Sequence, residues 1–198
     1  IDIEITNSRS WYANFFRAVK SLGEPKLRSG AKIDPRVKKF HRAILTVYYA
    51  NDLKCVLHAN IRIHGSRGIH ISPSDFISSM RVKLIDDNIL HRSQFILFLP
   101  EARNNDNEIF ITTFLKELNL LSPLTFSTIV TVNDGNPTKL LFQEKAASAL
   151  LKANKRRDGI ILAANKNSQV VEATNINKDW KGTINLGRVI NSMAAENE

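Results

Sequence analysis

The sequence predicts an α+β domain, in which one amphipathic helix packs across a twisted, mainly antiparallel sheet. A β-rich run over 43–50 and period-two alternation over 54–64 predict a β-hairpin over 43–64. Alternation over 79–84 and a strand-length apolar run over 95–99 predict two further strands. Apolar residues at helical spacing predict a helix over 104–119. An Asn-Asp-Gly turn at 133–135 then predicts a hairpin between two further strands.

Weaker patterns predict the elements at the two ends of the chain. One apolar stripe predicts a helix over 9–22, and its residues are Trp11, Phe15, Phe16, Val19 and Leu22. A polar and basic stretch with Pro and Gly, 23–41, predicts a loop. A short helix over 146–152 and a turn and strand over 158–162 come later. Beyond Ala163 the apolar pattern fades, and Trp180 is the remaining strong anchor.

These patterns divide the chain into three segments. We expect an N-terminal helix with a basic linker at 1–42, the α+β domain at 43–163 and a C-terminal tail at 164–198. No apolar run approaches the roughly 20 residues that a membrane-spanning helix needs, so no span is predicted. The single cysteine, Cys55, excludes an internal disulfide. We expect a cytoplasmic protein, with an extracellular location as the alternative.

The charge balance favours an acidic partner. The chain has 28 Lys and Arg against 19 Asp and Glu, with a formal net charge of +9. Such a charge attracts nucleic acid, nucleotide phosphate, acidic polysaccharide or an anionic membrane. The densest basic groups are 36–42 and 152–157. A basic face that is only solvated is the alternative interpretation.

Several charged residues are candidates for a phosphate-binding site. Lys83 is on the polar face of a predicted strand, and Glu108 is in the first turn of the predicted helix. Arg62 ends a polar row on the second strand of the hairpin, and Arg67 follows in a loop with two glycines, whose backbone N–H groups can bind phosphate. A surface lysine, a helix-dipole glutamate and an ordinary turn are the alternative interpretations.

The order of these motifs resembles the CotH family of atypical, kinase-like proteins. The pieces that match are the loop after Arg62, the Lys83 strand, the 95–99 strand, the Asn-Asp-Gly hairpin and the segment 141–145. The resemblance covers roughly 44–162. It implies the small lobe of a kinase-like fold and a site for ATP with Mg²⁺ or Mn²⁺. The family's Asn-Ser-Ser loop is here Ser66-Arg67-Gly68, which departs from its pattern.

The resemblance also implies roles for individual residues. Lys83 would contact phosphate, and Glu108 would orient Lys83. The backbone from Gln143 through Glu144 to Lys145 would meet the base, with added charge from Arg62 or Arg67. The family's catalytic and metal-binding aspartates belong to a second lobe, for which no segment after Ala163 is suitable. No catalytic or metal-binding residue is therefore assigned, and whether the protein is an enzyme stays open.

Three functions follow as expectations. The first is a nucleotide-binding domain that is incomplete for phosphoryl transfer on its own and works with a second domain or chain. The second is a non-catalytic basic module that binds nucleic acid or acidic polysaccharide. The third is a structural domain with no ligand. The first requires Lys83 and Glu108 to face each other in one cleft, whereas the second requires basic residues to share one face.

Overall fold

The structure, a computed structural model, describes residues 1–23, 30–85, 87–146, 148–156, 161–164 and 170–174. The chain divides into two compact units, Ile1–Lys145 and Ala146–Glu198. The first unit carries the site described below. No helix among the described residues is long and apolar enough to cross a membrane.

The first unit is a closed β-barrel of seven strands in the order β1-β2-β3-β6-β7-β9-β8. Two helices accompany it, α1 (Ser8–Ser21) and α2 (Asn107–Glu117). Single turns of 3₁₀ helix lie at Pro35–Val37, Ala50–Asp52, Gly68–His70 and Pro100–Arg103. The two-residue strands β4 (Ile71–Ser72) and β5 (Ile77–Ser78) form a separate ribbon. The barrel strands are β1 (Asp2–Ile5), β2 (His41–Tyr48), β3 (Lys54–Ile63), β6 (Met80–Leu84), β7 (Gln94–Phe98), β8 (Thr125–Val132) and β9 (Thr138–Glu144).

The barrel closes through its shortest strand. β1 pairs antiparallel with β2 and parallel with β8, where Asp2 is opposite Thr131. The N–H of Ile5 donates to Asn133 Oδ1 at 2.7 Å, which extends the junction past the end of β8. The other strand pairs of the barrel are antiparallel. Closure pairs both edges of the sheet, so neither edge stays open for another chain.

Alternate residues of every strand fill the interior. Phe142 is at the centre, stacked on Phe95 with ring centroids 4.5 Å apart and on Phe126 with centroids 4.6 Å apart. The helix α1 packs against this core and is capped at its N-terminus by Asn7, whose side chain accepts the N–H of Ser10 at 2.9 Å. Other fully buried core side chains include Ile3, Trp11, Phe15, Leu45, Ile61, Ile63, Met80, Leu97 and Leu140.

The β-hairpin predicted over 43–64 is confirmed as β2 and β3, whose inward faces pack with β6 and β7. The helix predicted over 9–22 is confirmed as α1, although Phe16 of its predicted apolar stripe is half exposed. The Asn-Asp-Gly turn does join two antiparallel strands, β8 and β9. Local periodicity therefore predicted these elements well.

The predicted fold class, an α+β sheet with a helix packed across it in the manner of a kinase-like small lobe, is wrong. The sheet closes into a seven-stranded barrel whose own side chains fill most of the interior, so the fold is mostly β and not an open sheet covered by one helix. Thr112 is a buried residue of α2, while Phe110 is 69% exposed and stacks on the exposed Phe114. Because the architecture is mostly β, the predicted descriptions of the protein as α+β and kinase-like are also wrong.

The division of the chain differs from the three predicted segments. β1 and α1 belong to the barrel unit, because β1 pairs with both β2 and β8. In the second unit, α3 (Ser148–Ala153) coincides with the predicted short helix. A ribbon of β10 (Ile161–Ala164) and β11 (Val170–Thr174) follows, and β11 was not predicted. Trp180 lies outside the described residues.

The aromatic stack predicts a large effect of one substitution. We expect Phe142→Ala to lower the free energy of unfolding by about 3–5 kcal/mol, because it leaves a cavity between two rings. Phe110→Ala makes the same chemical change at an exposed position, and we expect it to cost less than about 0.5 kcal/mol. Urea denaturation followed by circular dichroism measures both. Equal losses for the two variants would contradict the described core.

Candidate functional site

One rim of the barrel brings together the chain segments that flank three strands. β3 ends at Ile63, which is paired with Met80 at the start of β6. Met80 is also paired with Leu97 near the end of β7. β2 begins at His41, which is opposite Ile61. The segments before β2, after β3 and after β7 therefore meet at this rim.

A cleft of about 380 Å³ opens at this rim and is called the rim cleft below. Three cationic side chains line it, and among the described residues that line it there is no carboxylate. Each cation comes from a different segment: Lys38 precedes β2, Arg62 belongs to β3 and Arg103 follows β7. The lining residues are Lys38, Arg62, Ile63, His64, Gly65, Ser66, His70, Phe98, Ala102 and Arg103.

Both guanidinium groups of the rim cleft lie over aromatic rings. Arg103 lies 4.2 Å from the centroid of Phe98, and Arg62 lies 5.1 Å from the centroid of Phe40. Stacking holds each guanidinium in place through its face and leaves its N–H edge free to donate. The buried Nε atoms of Arg62 and Arg103 have no hydrogen-bond partner among the described residues. Two buried donors therefore lack an acceptor at the same cleft.

Two histidines form the wall of the rim cleft beside Phe98. The rings of His64 and Phe98 have centroids 5.4 Å apart, and those of His64 and His70 are 6.0 Å apart. Gly65 makes this packing feasible. Its φ is +95°, and a Cβ there would lie 2.1 Å from the His70 ring. A side chain at position 65 would displace His70.

A hydrogen-bond chain favours one tautomer of His70. The fully buried Ser79 Oγ accepts the N–H of Leu99 at 3.0 Å and lies 3.1 Å from His70 Nδ1. A buried hydroxyl proton needs an acceptor, and neutral Nδ1 supplies it. His70 then carries its own proton on Nε2. The ring contributes a neutral N–H donor to the lining of the cleft.

The rim cleft disfavours additional positive charge. Burial lowers the pKa of His64 to about 3, with further lowering from the nearby His70 and arginines. Burial lowers the pKa of His70 to about 4, with further lowering from Arg103 and Lys38. The pKa of Lys38 is also lowered, first by burial and then by Arg62. Both histidines are therefore neutral at pH 7, and the remaining charge of the cleft is an uncompensated positive charge.

A second cleft of about 510 Å³ lies between α1 and the 3₁₀ turn at Pro35–Val37 and is called the helix cleft below. Four cationic side chains line it, with Asp34 as the carboxylate among its described lining residues. Asp34 is already held by Arg36 in an ion pair of 2.8 Å. The lining residues are Asn14, Arg17, Lys20, Ser21, Asp34, Arg36, Val37 and Lys39.

The predicted pair of Lys83 and Glu108 does not form in this structure. Lys83 is exposed on the outside of β6, opposite Asn60 and Gln94. Glu108 instead accepts a hydrogen bond from Gln143 Nε2 at 2.6 Å. Among the described residues, no ion pair joins Lys83 to Glu108. Both side chains are outside the lining of the two clefts.

The segment predicted to meet a nucleotide base is the end of a barrel strand. Gln143 is buried and also contacts Thr125, with Nε2 and Oγ1 3.3 Å apart. Glu144 is buried, forms a 3.2 Å ion pair with Arg92 and accepts the N–H of Leu124. The N–H of Lys145 donates to the carbonyl of Gln94. These contacts hold β9 against its neighbours, which is a structural role.

Of the two predicted arginines, the structure places one in the rim cleft. Arg62 lines it, whereas Arg67 is exposed and pairs with Lys32 through an isolated β-bridge. The sequence did not identify His70 or Arg103 as site residues, because both lie in single 3₁₀ turns, where the sequence shows no hydrophobic period. The His64-Gly65 step was a usable clue, because a glycine at the end of a strand often marks a close approach of another group.

Comparison with known proteins adds no relative. No protein-family model matches the chain, and no curated protein matches it. The CotH resemblance therefore stays a prediction, as does the site for ATP with Mg²⁺ or Mn²⁺. Among the described residues, no group of three or more His, Cys, Asp or Glu side chains could hold a metal ion.

The lowered histidine pKa values predict a pH dependence of stability. Unfolded histidines have a pKa near 6.5, so the unfolded chain takes up protons between about pH 6.5 and 4 that the folded protein does not. Stability therefore falls as the pH is lowered through this window. The slope is at most about 1.4 kcal/mol per pH unit for His64, and smaller for the more exposed His70.

Urea denaturation at intervals from pH 7 to pH 5 measures this slope. We expect His64→Gln to reduce it, because glutamine does not titrate. His58→Gln is the matched control at an exposed position of β3, the strand that ends just before His64, and we expect it to keep the slope. A His64→Gln protein with an unchanged slope would contradict the buried, neutral His64.

Proposed function

We propose that the barrel binds single-stranded nucleic acid across the rim formed by the two clefts. The observation that carries this proposal is the charge of the lining. Three Lys and Arg side chains line the rim cleft and four line the helix cleft, while Asp34 is the carboxylate among the described lining residues. Since Asp34 is bound to Arg36, the positive charge of the other lining residues is not neutralised by a carboxylate among the described lining residues.

The two clefts flank one short segment of chain. Lys38 lines the rim cleft, and its neighbours Val37 and Lys39 line the helix cleft. A flexible polyanion that crosses this segment can contact cations of both clefts. Each phosphate contact releases counterions, so affinity depends steeply on salt concentration.

Exposed aromatic surface favours nucleic acid over acidic polysaccharide as the ligand. Phe40 follows Lys38 and Lys39 directly and is 47% exposed. One part of its ring is covered by the Arg62 guanidinium, and the exposed part can stack on a base. Single-strand binders combine cations that contact the backbone with aromatic rings that stack on bases.

Neutralising substitutions in the helix cleft test the proposal. We expect Lys20→Gln with Lys39→Gln to weaken binding of a labelled single-stranded oligonucleotide several-fold in fluorescence anisotropy. We also expect a shallower dependence of log affinity on log salt, by roughly 1.4 if both lysines contact phosphates. Both side chains are exposed, so folding should be unaffected.

Lys54→Gln with Lys116→Gln is the matched control, with the same change in net charge. Lys54 begins β3 and lies about 26 Å along the strand from Arg62, at the opposite rim. We expect this control to bind nearly as well as the unchanged protein. Equal losses for both double variants would show that binding reports net charge alone. Binding to heparin without binding to oligonucleotides would contradict the nucleic-acid assignment.

A further inference from the structure

We propose that the rim cleft binds a phosphate monoester, as found at the end of a nucleic-acid strand. This inference deepens the proposed function and rests on it for the identity of the ligand. Its basis is the pair of buried Nε donors of Arg62 and Arg103, which have no acceptor among the described residues, at a cleft whose described lining has no carboxylate. Buried donors of this kind cost free energy until an acceptor reaches them.

The number of donors favours a monoester over an internal phosphodiester. Arg62, Arg103 and Lys38 supply charged donors, and His70 adds a neutral N–H in the tautomer that the contact with Ser79 favours. A phosphate monoester offers three terminal oxygens and a charge of about −1.5 to −2 at pH 7. A phosphodiester offers two free oxygens and a single charge. The dianion therefore matches the charge and the hydrogen-bonding capacity of the cleft better.

Packing and hydrogen-bond contacts support these groups before a ligand binds. Phe98 and Phe40 hold the guanidinium planes, and Ser79 holds the His70 ring. Gly65 gives His70 the space that it occupies. A site that is held in place before binding loses little conformational entropy when the ligand arrives.

The test compares three forms of one short oligonucleotide: with a 5′-phosphate, with a 3′-phosphate and with hydroxyl groups at both ends. We expect one of the phosphorylated forms to bind the full chain roughly tenfold more tightly than the hydroxyl form in fluorescence anisotropy. Arg103→Gln should abolish this preference, and Arg103→Lys should restore it only in part, because lysine lacks the planar fork. Lys54→Gln should leave it intact.

A second measurement needs no variant that could misfold. Inorganic phosphate is titrated into the unchanged protein while the imidazole signals of His64 and His70 are followed by NMR, with sulfate as the comparison anion. We expect saturable shifts of both histidines with phosphate and little change at the exposed His58. Phosphate shifts without any oligonucleotide binding would support this inference and overturn the proposed function.

Other outcomes overturn the inference. Equal affinity for all three oligonucleotides would leave nucleic-acid binding standing and exclude a terminal-phosphate site. A preference that survives both Arg103→Gln and Arg62→Gln would place the site elsewhere. Histidine signals that do not respond to phosphate would show that the anion does not enter the rim cleft.

Discussion

The parallel pairing of β1 with β8 is the contact on which the rest of the barrel unit depends. It joins residues that are nearly 130 positions apart, with Asp2 opposite Thr131 and the N–H of Ile5 on Asn133 Oδ1. Without it the sheet has two open edges and an apolar face that a helix could cover. With it the inward side chains meet one another, and Phe142 is packed between Phe95 and Phe126. Closure thus moves the available functional surface to the rims.

The charge at one rim follows from this geometry. Segments that are distant in sequence bring Lys38, Arg62 and Arg103 to one cleft. Burial, together with the nearby charged groups, lowers the pKa of His64, His70 and Lys38. Cations held this close together repel one another, and a bound anion would reduce that repulsion. The Nε atoms of Arg62 and Arg103, which have no acceptor among the described residues, indicate the same ligand charge.

Elements with a strong local period could be predicted from the sequence, and long-range pairings could not. The alternation of residues predicted the position of β3, and the apolar stripe predicted the position of α1. The Asn-Asp-Gly turn predicted the hairpin of β8 and β9. The four residues of β1 are too few to show which partner they choose. Lys83 and Glu108 were predicted to pair because one is on a strand and the other is at the start of a helix. In the structure Glu108 instead accepts a hydrogen bond from Gln143. Arg62 was predicted as a site residue. Arg103 could be identified only from the fold, which brings it to the same cleft.

Chemical-shift mapping tests the central claim, that the basic rim is the ligand-binding surface, most directly. Backbone amide spectra of the labelled protein are recorded as single-stranded oligonucleotide is added at low salt. The account predicts the largest changes at 38–40, at 62–70 and at Arg103, and none at the opposite rim near Lys54. Changes centred on Lys54, or on the exposed face of α2 around Phe110, would contradict it.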